Sequence, residues 1–411
     1  LHHQNIGKMI KESELRDIID LQREIIIKED SFQRNLLSNI SVQTPDFVTI
    51  ISGVRRCGKS TLLGQLIKQQ NEDTLFINFD NARLYSFDVQ DFKILDSILQ
   101  SSGARILFFD EIQIIKGWEV YVRGKLDEGY KIIVTGSNAS MLSRELGTRL
   151  TGRHISKELF PFSFSEFCGF KKMVFNDRAL KEYLSIGGFP QYVKYKNQDI
   201  LNSLLEDILY RDIVVRYNIR DVISLRNLLV YLLANIGNLV SATKLTQVVG
   251  VKTSKTILEY FSFFEQSYLV QFMSKFSYSY KVQIVNPRKV YCIDCGLHSV
   301  VTPSLSQDNG RKLENIVFME LRRKSVQVYY YNEHGKECDF VVCKNNQPIN
   351  LIQVCFELTN DNESREINGL VDAMKTLHLN KGVILTFNQE DLIQTTEGTI
   401  QVTPVWKWLQ N

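Results

Sequence analysis

The chain has 411 residues, 44% of them hydrophobic and 23% charged, a globular composition without low-complexity tracts and long enough for about two to four domains. A net charge of +3 is too mild to announce nucleic-acid binding by itself, so any basic surface has to be local. No apolar run reaches the roughly eighteen residues of a membrane span, and the N-terminal stretch lacks the hydrophobic centre of a signal peptide. The expectation is a cytoplasmic address and no membrane partner. The seven cysteines lie scattered in hydrophobic segments and suit reduced, structural thiols. Cys292-x-x-Cys295 has the spacing of a zinc or redox pair, but neither a second pair nor a histidine cluster accompanies it.

In chain order, LRDIIDLQREIIIK (15–28) carries apolar residues at helical spacing and reads as a helix lying on the following domain. A β-branched run, FVTIIS, then leads into Gly53-x-x-x-x-Gly58-Lys59-Ser60, and an apolar helical pattern follows at once. Strand, glycine-rich loop and helix are the context a phosphate-binding loop requires. Its backbone N–H groups and the helix N-terminus converge on one spot, where phosphate oxygens can sit. The expected cradle is Gly53, Arg55, Arg56, Cys57, Gly58, Lys59, Ser60 and Thr61, with ATP as ligand. Lys59 can reach the β- and γ-phosphates, and the Ser60 hydroxyl can be a Mg²⁺ ligand.

LFINFD (75–80) reads as a second strand, 91–100 as an amphipathic helix, and RILFFDEI (105–112) as a buried parallel strand ending in two acids. Ligands of open α/β sheets bind at such strand ends. Asp110 is therefore the expected second metal residue, and Glu111 the group that orients or deprotonates the attacking water. The competing reading is a solvated strand end with two acids. KIIVTGSN (131–138) is another buried strand; Ser137 and Asn138 should face the γ-phosphate, with Asn138 the candidate sensor or else a turn former. Arg144, Arg149 and Arg153 follow. Only arginine offers a permanent forked charge to transition-state oxygens; one of the three can serve in cis or across a subunit interface, with Arg153 preferred, or all are surface residues.

GVRRCGKSTLL, FFDEIQIIKGWE, VTGSNASMLSRELGTRLTGRH and ELFPFSFSEF, in this order, resemble the AAA-type ATPases of bacteria and archaea that carry a C-terminal domain of unknown function. The resemblance continues through GGFPQYV, DILYRDIVVRY and LENIVFMEL. It implies that Lys59 and Ser60 are the phosphate-loop pair, Asp110 and Glu111 the metal and water residues, and that the segment after Asn138 carries the sensor. It implies little about biological role.

From 177 to 233 the pattern is helical, broken by Gly187-Gly188 and Pro190, and reads as a lid. Residues 241–265 read as helix, turn around Gly250, and a second helix capped by Thr253 or Ser254. With 269–276 and 281–285 as wing strands, a winged helix-turn-helix fits, and the family's plan is similar. Lys252, Lys255 and Lys275 would then approach DNA phosphates. Against this, Tyr260, Phe261, Phe263 and Phe264 supply more aromatic bulk than base reading needs, so the module can simply pack on its neighbours.

The stretch 289–411 alternates strands and helices: VYCID, a helix over 311–324 with Glu314 and Glu320, a hairpin turning at 333–335, and INLIQVCFEL. It resembles the restriction-endonuclease-like fold, in whose active members an acid and a lysine on the third strand complete the site. Glu314 and Asp339 match the first two positions. The third strand reads Gln353-Val354-Cys355, and neither a neutral amide nor a thiol replaces a carboxylate and an ammonium. The domain is expected to lack nuclease activity, unless Glu357 or Lys375 stands in. The expected plan is α/β throughout: an N-terminal helical segment (1–45), an AAA-type phosphate-loop ATPase with a parallel sheet (46–172), a helical lid (173–233), a winged helix-turn-helix (234–288) and the endonuclease-like domain (289–411). The function expected is a Mg-dependent ATPase that moves its C-terminal module. The alternatives are a DNA-binding protein switched by ATP and a nucleotide-sensing interaction module with a protein partner or a second copy of itself.

Overall fold

The computed structural model describes residues 9–42, 44, 46–139, 152–302 and 308–410. The chain forms two compact units, Leu1–Leu159 and Phe160–Asn411.

In the first unit, five strands form one parallel sheet in the order β2-β3-β4-β1-β5. They are β1 (Val48–Ser52), β2 (Thr74–Asn78), β3 (Ile106–Asp110), β4 (Lys131–Gly136) and β5 (His154–Glu158). β1 and β3 are buried at every residue, as continuous apolar runs covered on both faces must be. The helices are α1 (Glu12–Lys28), α2 (Lys59–Lys68), α3 (Phe92–Ser102) and α4 (Trp118–Asp127). The apolar stripe of α1, Leu15, Ile18 and Ile19, packs into the same core as Val48, Ile50, Leu75 and Ile77. Gln22 of α1 gives its amide to the Asn78 carbonyl at 3.1 Å and accepts the Asn78 N–H at 2.8 Å. The N-terminal helix thus lies on the sheet of this unit.

The second unit begins with helices: α5 (Phe164–Lys171), α6 (Asp177–Ile186), α7 (Pro190–Tyr195), α8 (Gln198–Glu206) and, after a π-helical stretch at Asp207–Val215, α9 (Val222–Ala234). Gly187 and Gly188 do more than break the helices. A Cβ on Gly187, whose φ is +71°, would lie 1.9 Å from Asp294 Oδ1, and the Gly188 N–H donates to Asp294 Oδ2 at 2.6 Å. Only glycine lets the backbone approach a buried carboxylate so closely in a left-handed conformation.

Next come β6 (Leu239–Val240), α10 (Ala242–Val249), α11 (Ser254–Gln266), β7 (Val270–Met273), α12 (Tyr280–Val285) and β8 (Arg288–Cys292), with a small antiparallel sheet in the order β6-β8-β7. The second wing strand expected at 281–285 is instead α12, which buries no residue. The partner of β7 is β8, whose last four residues are all buried. A strand is held by its buried face, and KVQIV has none to offer.

After α13 (Cys295–Val301), the chain runs through α14 (Asn309–Arg323), β9 (Gln327–Glu333), β10 (Lys336–Lys344), β11 (Gln347–Val354), α15 (Glu363–Thr376), β12 (Lys381–Thr386), β13 (Asp391–Thr395), β14 (Gly398–Pro404) and α16 (Val405–Trp408). These strands form a mixed sheet, β13-β14-β12-β11-β10-β9. β9, β10 and β11 are an antiparallel meander turning at His334 and Gly335, both at positive φ, and α15 carries the chain over to β12, parallel to β11.

Candidate functional site

The phosphate loop joins the end of β1 to the start of α2. A Cβ on Gly53 would meet the Leu159 carbonyl oxygen at 2.1 Å, and Gly58 sits at φ +102°, so both positions exclude a side chain. Lys59 is buried; its ammonium donates to the carbonyls of Gly53 (3.1 Å) and Val54 (3.3 Å) and lies 3.4 Å from Glu111 Oε1. Ser60 Oγ donates to Asp110 Oδ2 at 2.6 Å. β1 and β3 are not neighbours; β4 lies between them, and its Thr135 holds the end of β3. The Thr135 hydroxyl donates to Asp110 Oδ1 and accepts the Glu111 N–H at 3.0 Å. Glu111 sits at φ +53°, a left-handed conformation a non-glycine residue adopts at a cost, and its carboxylate accepts from the Gln113 amide.

Burial, reinforced by Glu111, pushes the Asp110 carboxyl up to about 6 against the hydrogen bonds of Ser60 and Thr135. Burial also works against ionisation of Glu111, yet the nearby charges of Lys59 and Arg55 outweigh it and hold that carboxyl below its usual range. For Lys59, burial is outweighed by Glu111, Cys57 and Asp110, so its ammonium is held above the ordinary lysine value. The stable state is a charged Lys59–Glu111 pair beside an Asp110 that gives up its proton near pH 6. A hydroxyl and a carboxylate converging within hydrogen-bond distance are hard oxygen donors of the kind Mg²⁺ takes, so Ser60 and Asp110 fit that ion.

The other expected residues fall into two groups. Arg55 faces Asp80 at 3.8 Å, Cys57 Sγ reaches the Leu159 carbonyl at 3.3 Å, Arg56 is exposed at φ +61°, and Thr61 lies on α2 with its hydroxyl 3.4 Å from Glu29. Asn138 is buried two residues beyond Gly136, which pairs with Ser52 just before the loop. Between them, the buried Ser137 hydroxyl has no hydrogen-bond partner among the described residues. Arg153 is elsewhere: its carbonyl accepts the N–H of Val48 at the start of β1, and its guanidinium pairs with Asp127 at 2.8 Å. The length of a five-residue strand, roughly 17 Å, separates that sheet edge from the loop, so the two are not brought together within one chain. Arg144 and Arg149 lie outside the described residues.

Two residues escaped the sequence reading. Thr135 stood in plain sight inside VTGSN, where strand alternation alone does not say which hydroxyl bridges two acids. Arg34, also buried, donates to the Cys57 carbonyl at 2.7 Å, while Gln65 of α2 accepts the Arg34 N–H at 3.2 Å. No local pattern marks it, because its partner is 23 residues away.

In the second unit, Glu314 of α14 and Asp339 of β10 do meet, but on Lys289 of β8, whose ammonium lies 2.9 Å from Glu314 Oε1 and 2.7 Å from Asp339 Oδ1. Burial and then Asp339 raise the Glu314 carboxyl to about 7. Gln353 accepts the Asp339 N–H at 3.0 Å and donates to Glu366 at 2.6 Å. Glu357 and Lys375 are exposed, so the added acid and the lysine come from α15 and β8 instead. These groups line a cleft of about 680 Å³. Of the three lysines assigned to phosphate contacts, Lys252 and Lys255 are exposed, whereas Lys275 pairs with Glu333 at 2.8 Å. Tyr260, Phe261 and Phe264 are core residues, and Phe263 stacks on Tyr217 at 3.9 Å. Cys292 and Cys295 are both buried with thiols raised by burial, Cys292 to about 12, the opposite of a reactive or metal-binding pair. Among the described residues no helix is long and apolar enough to cross a membrane.

Comparison with known proteins adds lineage to this geometry. Residues 46–168 match an AAA domain, and 177–308 and 309–408 match two domains of unknown function, DUF8612 and DUF4143. Among solved structures, a Signal Transduction ATPase with Numerous Domains (STAND) from Pyrococcus horikoshii, with a tetratricopeptide repeat sensor, is 13% identical with a TM-score of 0.27. That match covers 72% of this chain and 46% of the other, so the chain spans less than half of its length. "Uncharacterized protein MJ1544" of Methanocaldococcus jannaschii is 34% identical over 395 residues, 89% of this chain and 88% of that one. An "Uncharacterized protein" of Haemophilus influenzae is 32% identical over 392 residues, 90% of this chain and 96% of the other. The chain belongs to the family of these archaeal and bacterial proteins, and its residues 46–168 carry an AAA domain of the phosphate-loop ATPase class.

Proposed function

We propose that this protein binds Mg-ATP at the end of β1 and hydrolyses it. The observation that carries the reading is the 2.6 Å bond between Ser60 and Asp110, residues fifty positions apart whose oxygens meet beside a buried lysine. When bound, Mg²⁺ supplies positive charge to the β- and γ-phosphate oxygens. The chain's own groups do the rest. Lys59 exchanges the loop carbonyls for phosphate oxygens, which loosens its pairing with Glu111. Glu111, already ionised, orients the attacking water and takes its proton. Asn138 hydrogen-bonds the water or the γ-phosphate, and Thr135 keeps the Asp110 carboxylate turned toward Ser60. Arg153 supplies charge only across an interface between copies, which makes a homo-oligomer part of this proposal. ATP turnover measured on Lys59→Ala tests it: the variant should lose binding or turnover, and wild-type rates would refute the reading.

We further read the second unit as a winged helix followed by an endonuclease-like domain without nuclease activity, moved by the ATP cycle. Support comes from the chain path α9-β6-α10-α11-β7-α12-β8, in which the short helix α12 stands between the two strands that pair after α11, and from the α-β-β-β-α-β path of α14 to β12. DNA as a partner rests on the exposed Lys252, in the turn before α11, and Lys255, in its first turn. A mobility-shift series in salt decides: retardation that weakens steeply as salt rises supports contact with DNA, and no shift at low salt removes it. The seven free and buried cysteines suit a reducing, cytoplasmic setting.

A further inference from the structure

Arg34 lies outside the residues that match the AAA domain, 46–168, yet it is buried against the phosphate loop, with 4% of its surface exposed. Its Nη1 donates to the Cys57 carbonyl at 2.7 Å, and a Cβ on Gly58 would lie 3.2 Å from the same atom. The chain is led to that point along α2. Lys68 Nζ donates to the Glu29 carbonyl at 2.6 Å, and Gln65 Nε2 donates to Ser31 Oγ at 3.0 Å and to the Phe32 carbonyl at 2.7 Å. The Arg34 N–H then donates to Gln65 Oε1 at 3.2 Å, and Gln65 is itself buried. Residues 29–34 thus run from the C-terminal end of α2 back toward its N-terminus, and the guanidinium reaches the loop from a fixed base.

What the guanidinium holds is one peptide group of the loop. The groups on either side are held locally: the Cys57 N–H donates to the Val54 carbonyl at 3.3 Å, and the Gly58 carbonyl accepts the Leu62 N–H at 2.9 Å. The Cys57 carbonyl between them is held by a side chain 23 residues away. That peptide borders Gly58, at φ +102°, and glycine lets a peptide rotate that a side chain would pin. The bond is trans, so its carbonyl and its N–H point in opposite directions. With the carbonyl on Arg34, the Gly58 N–H is turned away from Arg34, and a flip of the peptide would exchange the two. The charge is felt in the loop as well: burial raises the Cys57 thiol, and the charges of Lys59 and Arg34 oppose that rise.

We propose that Arg34 is a positioning residue for the triphosphate: its grip on the Cys57 carbonyl keeps the Gly58 N–H directed at the phosphate oxygens. This role rests on Mg-ATP binding at the loop, as proposed above, and adds to that site a residue from outside the matched domain. An N–H aimed at a phosphate makes a charge-assisted hydrogen bond, stronger than one to a neutral acceptor. Arg34 serves that bond without touching the nucleotide, so its loss weakens binding and spares the step assigned to Glu111.

Calorimetric titration of the full chain with a non-hydrolysable Mg-ATP analogue, joined to steady-state kinetics with Mg-ATP, tests this on Arg34→Met. The dissociation constant and KM should both rise about tenfold or more, while kcat at saturating Mg-ATP falls by less than about threefold. Unchanged affinity in an Arg34→Met chain that is folded by circular dichroism would overturn the proposal. So would a fall in kcat with KM unchanged, which would place Arg34 in the chemical step and not in binding. The wild-type titration separates the two levels: a wild type that takes up no analogue removes the nucleotide site and this role with it, whereas a wild type that binds beside an unaffected Arg34→Met removes the role alone. Should Arg34→Met fail to fold, Gln65→Leu, which loosens the segment carrying Arg34 and leaves the loop sequence intact, becomes the deciding variant. Affinity lowered about threefold or more supports the proposal, and affinity equal to wild type ends it.

Discussion

Lys59 and Lys289 are both buried ammonium groups beside two acids, and the acids are arranged differently around them. At the phosphate loop, Lys59 rests on two backbone carbonyls and on Glu111, while Asp110 is satisfied by the hydroxyls of Ser60 and Thr135. In the cleft of the second unit, Lys289 bonds both acids directly. The first lysine has neutral partners it can exchange: under the proposed function, a triphosphate would replace the carbonyls with stronger acceptors and leave Asp110 to a metal. The second is bound to charged partners on both sides, and removing it leaves uncompensated buried charge. A poised site and a closed one can therefore be built from the same residue types, and the difference lies in which neutral groups share the load.

The comparison can be broken by substitution. Lys59→Ala should have the largest effect, lowering turnover by roughly 10²- to 10³-fold or abolishing nucleotide binding; an unchanged rate would mean that Lys59 is as structural as Lys289. Gly187→Ala comes next, on stability: the added Cβ would press on Asp294 at a left-handed backbone position, and a loss on the order of 2 to 4 kcal/mol should appear in denaturant melts. A smaller effect is expected with pH. The folded-state value of Asp110, about 6, lies above that of a solvated aspartate at ~4. The folded protein then holds the extra proton, and that stabilisation is present below pH ~4 and lost as pH rises through about 6. Asp294, also raised to about 6 by burial, adds in the same direction. Melting temperature of the nucleotide-free protein should fall across this window, and Asp110→Asn should flatten the fall. The smallest effect sharpens the contrast: Thr135→Val should leave the fold intact and weaken Mg-ATP binding about fivefold or more, about the value of one neutral hydrogen bond.

Much of the first unit was legible because its signals are local. The buried runs of β1, β3 and β4 show themselves as unbroken apolar stretches, and the loop residues follow one another in sequence. Thr135 was not legible, because its role depends on which strand lies between β1 and β3, and Arg34 was not, because its partner Cys57 is 23 residues away. In the second unit the failures share a cause. KVQIV has the composition of a strand but no face to bury. Lys275 is basic but answers Glu333, and the lysine and extra acid sought on β11 come from β8 and α15. Charge pairing across separate elements leaves no spacing in the sequence, so Glu314 and Asp339 could be found from their order along the chain, and Lys289 could not.

The account rests on Glu111 acting on water beside a nucleotide held by Lys59 and Ser60. Single-turnover hydrolysis by Glu111→Gln, with Mg-ATP affinity measured on the same preparation, tests this most directly. Affinity within about threefold of wild type and hydrolysis slowed by roughly 10²-fold or more are expected. Hydrolysis at the wild-type rate by a variant that binds Mg-ATP normally would contradict it.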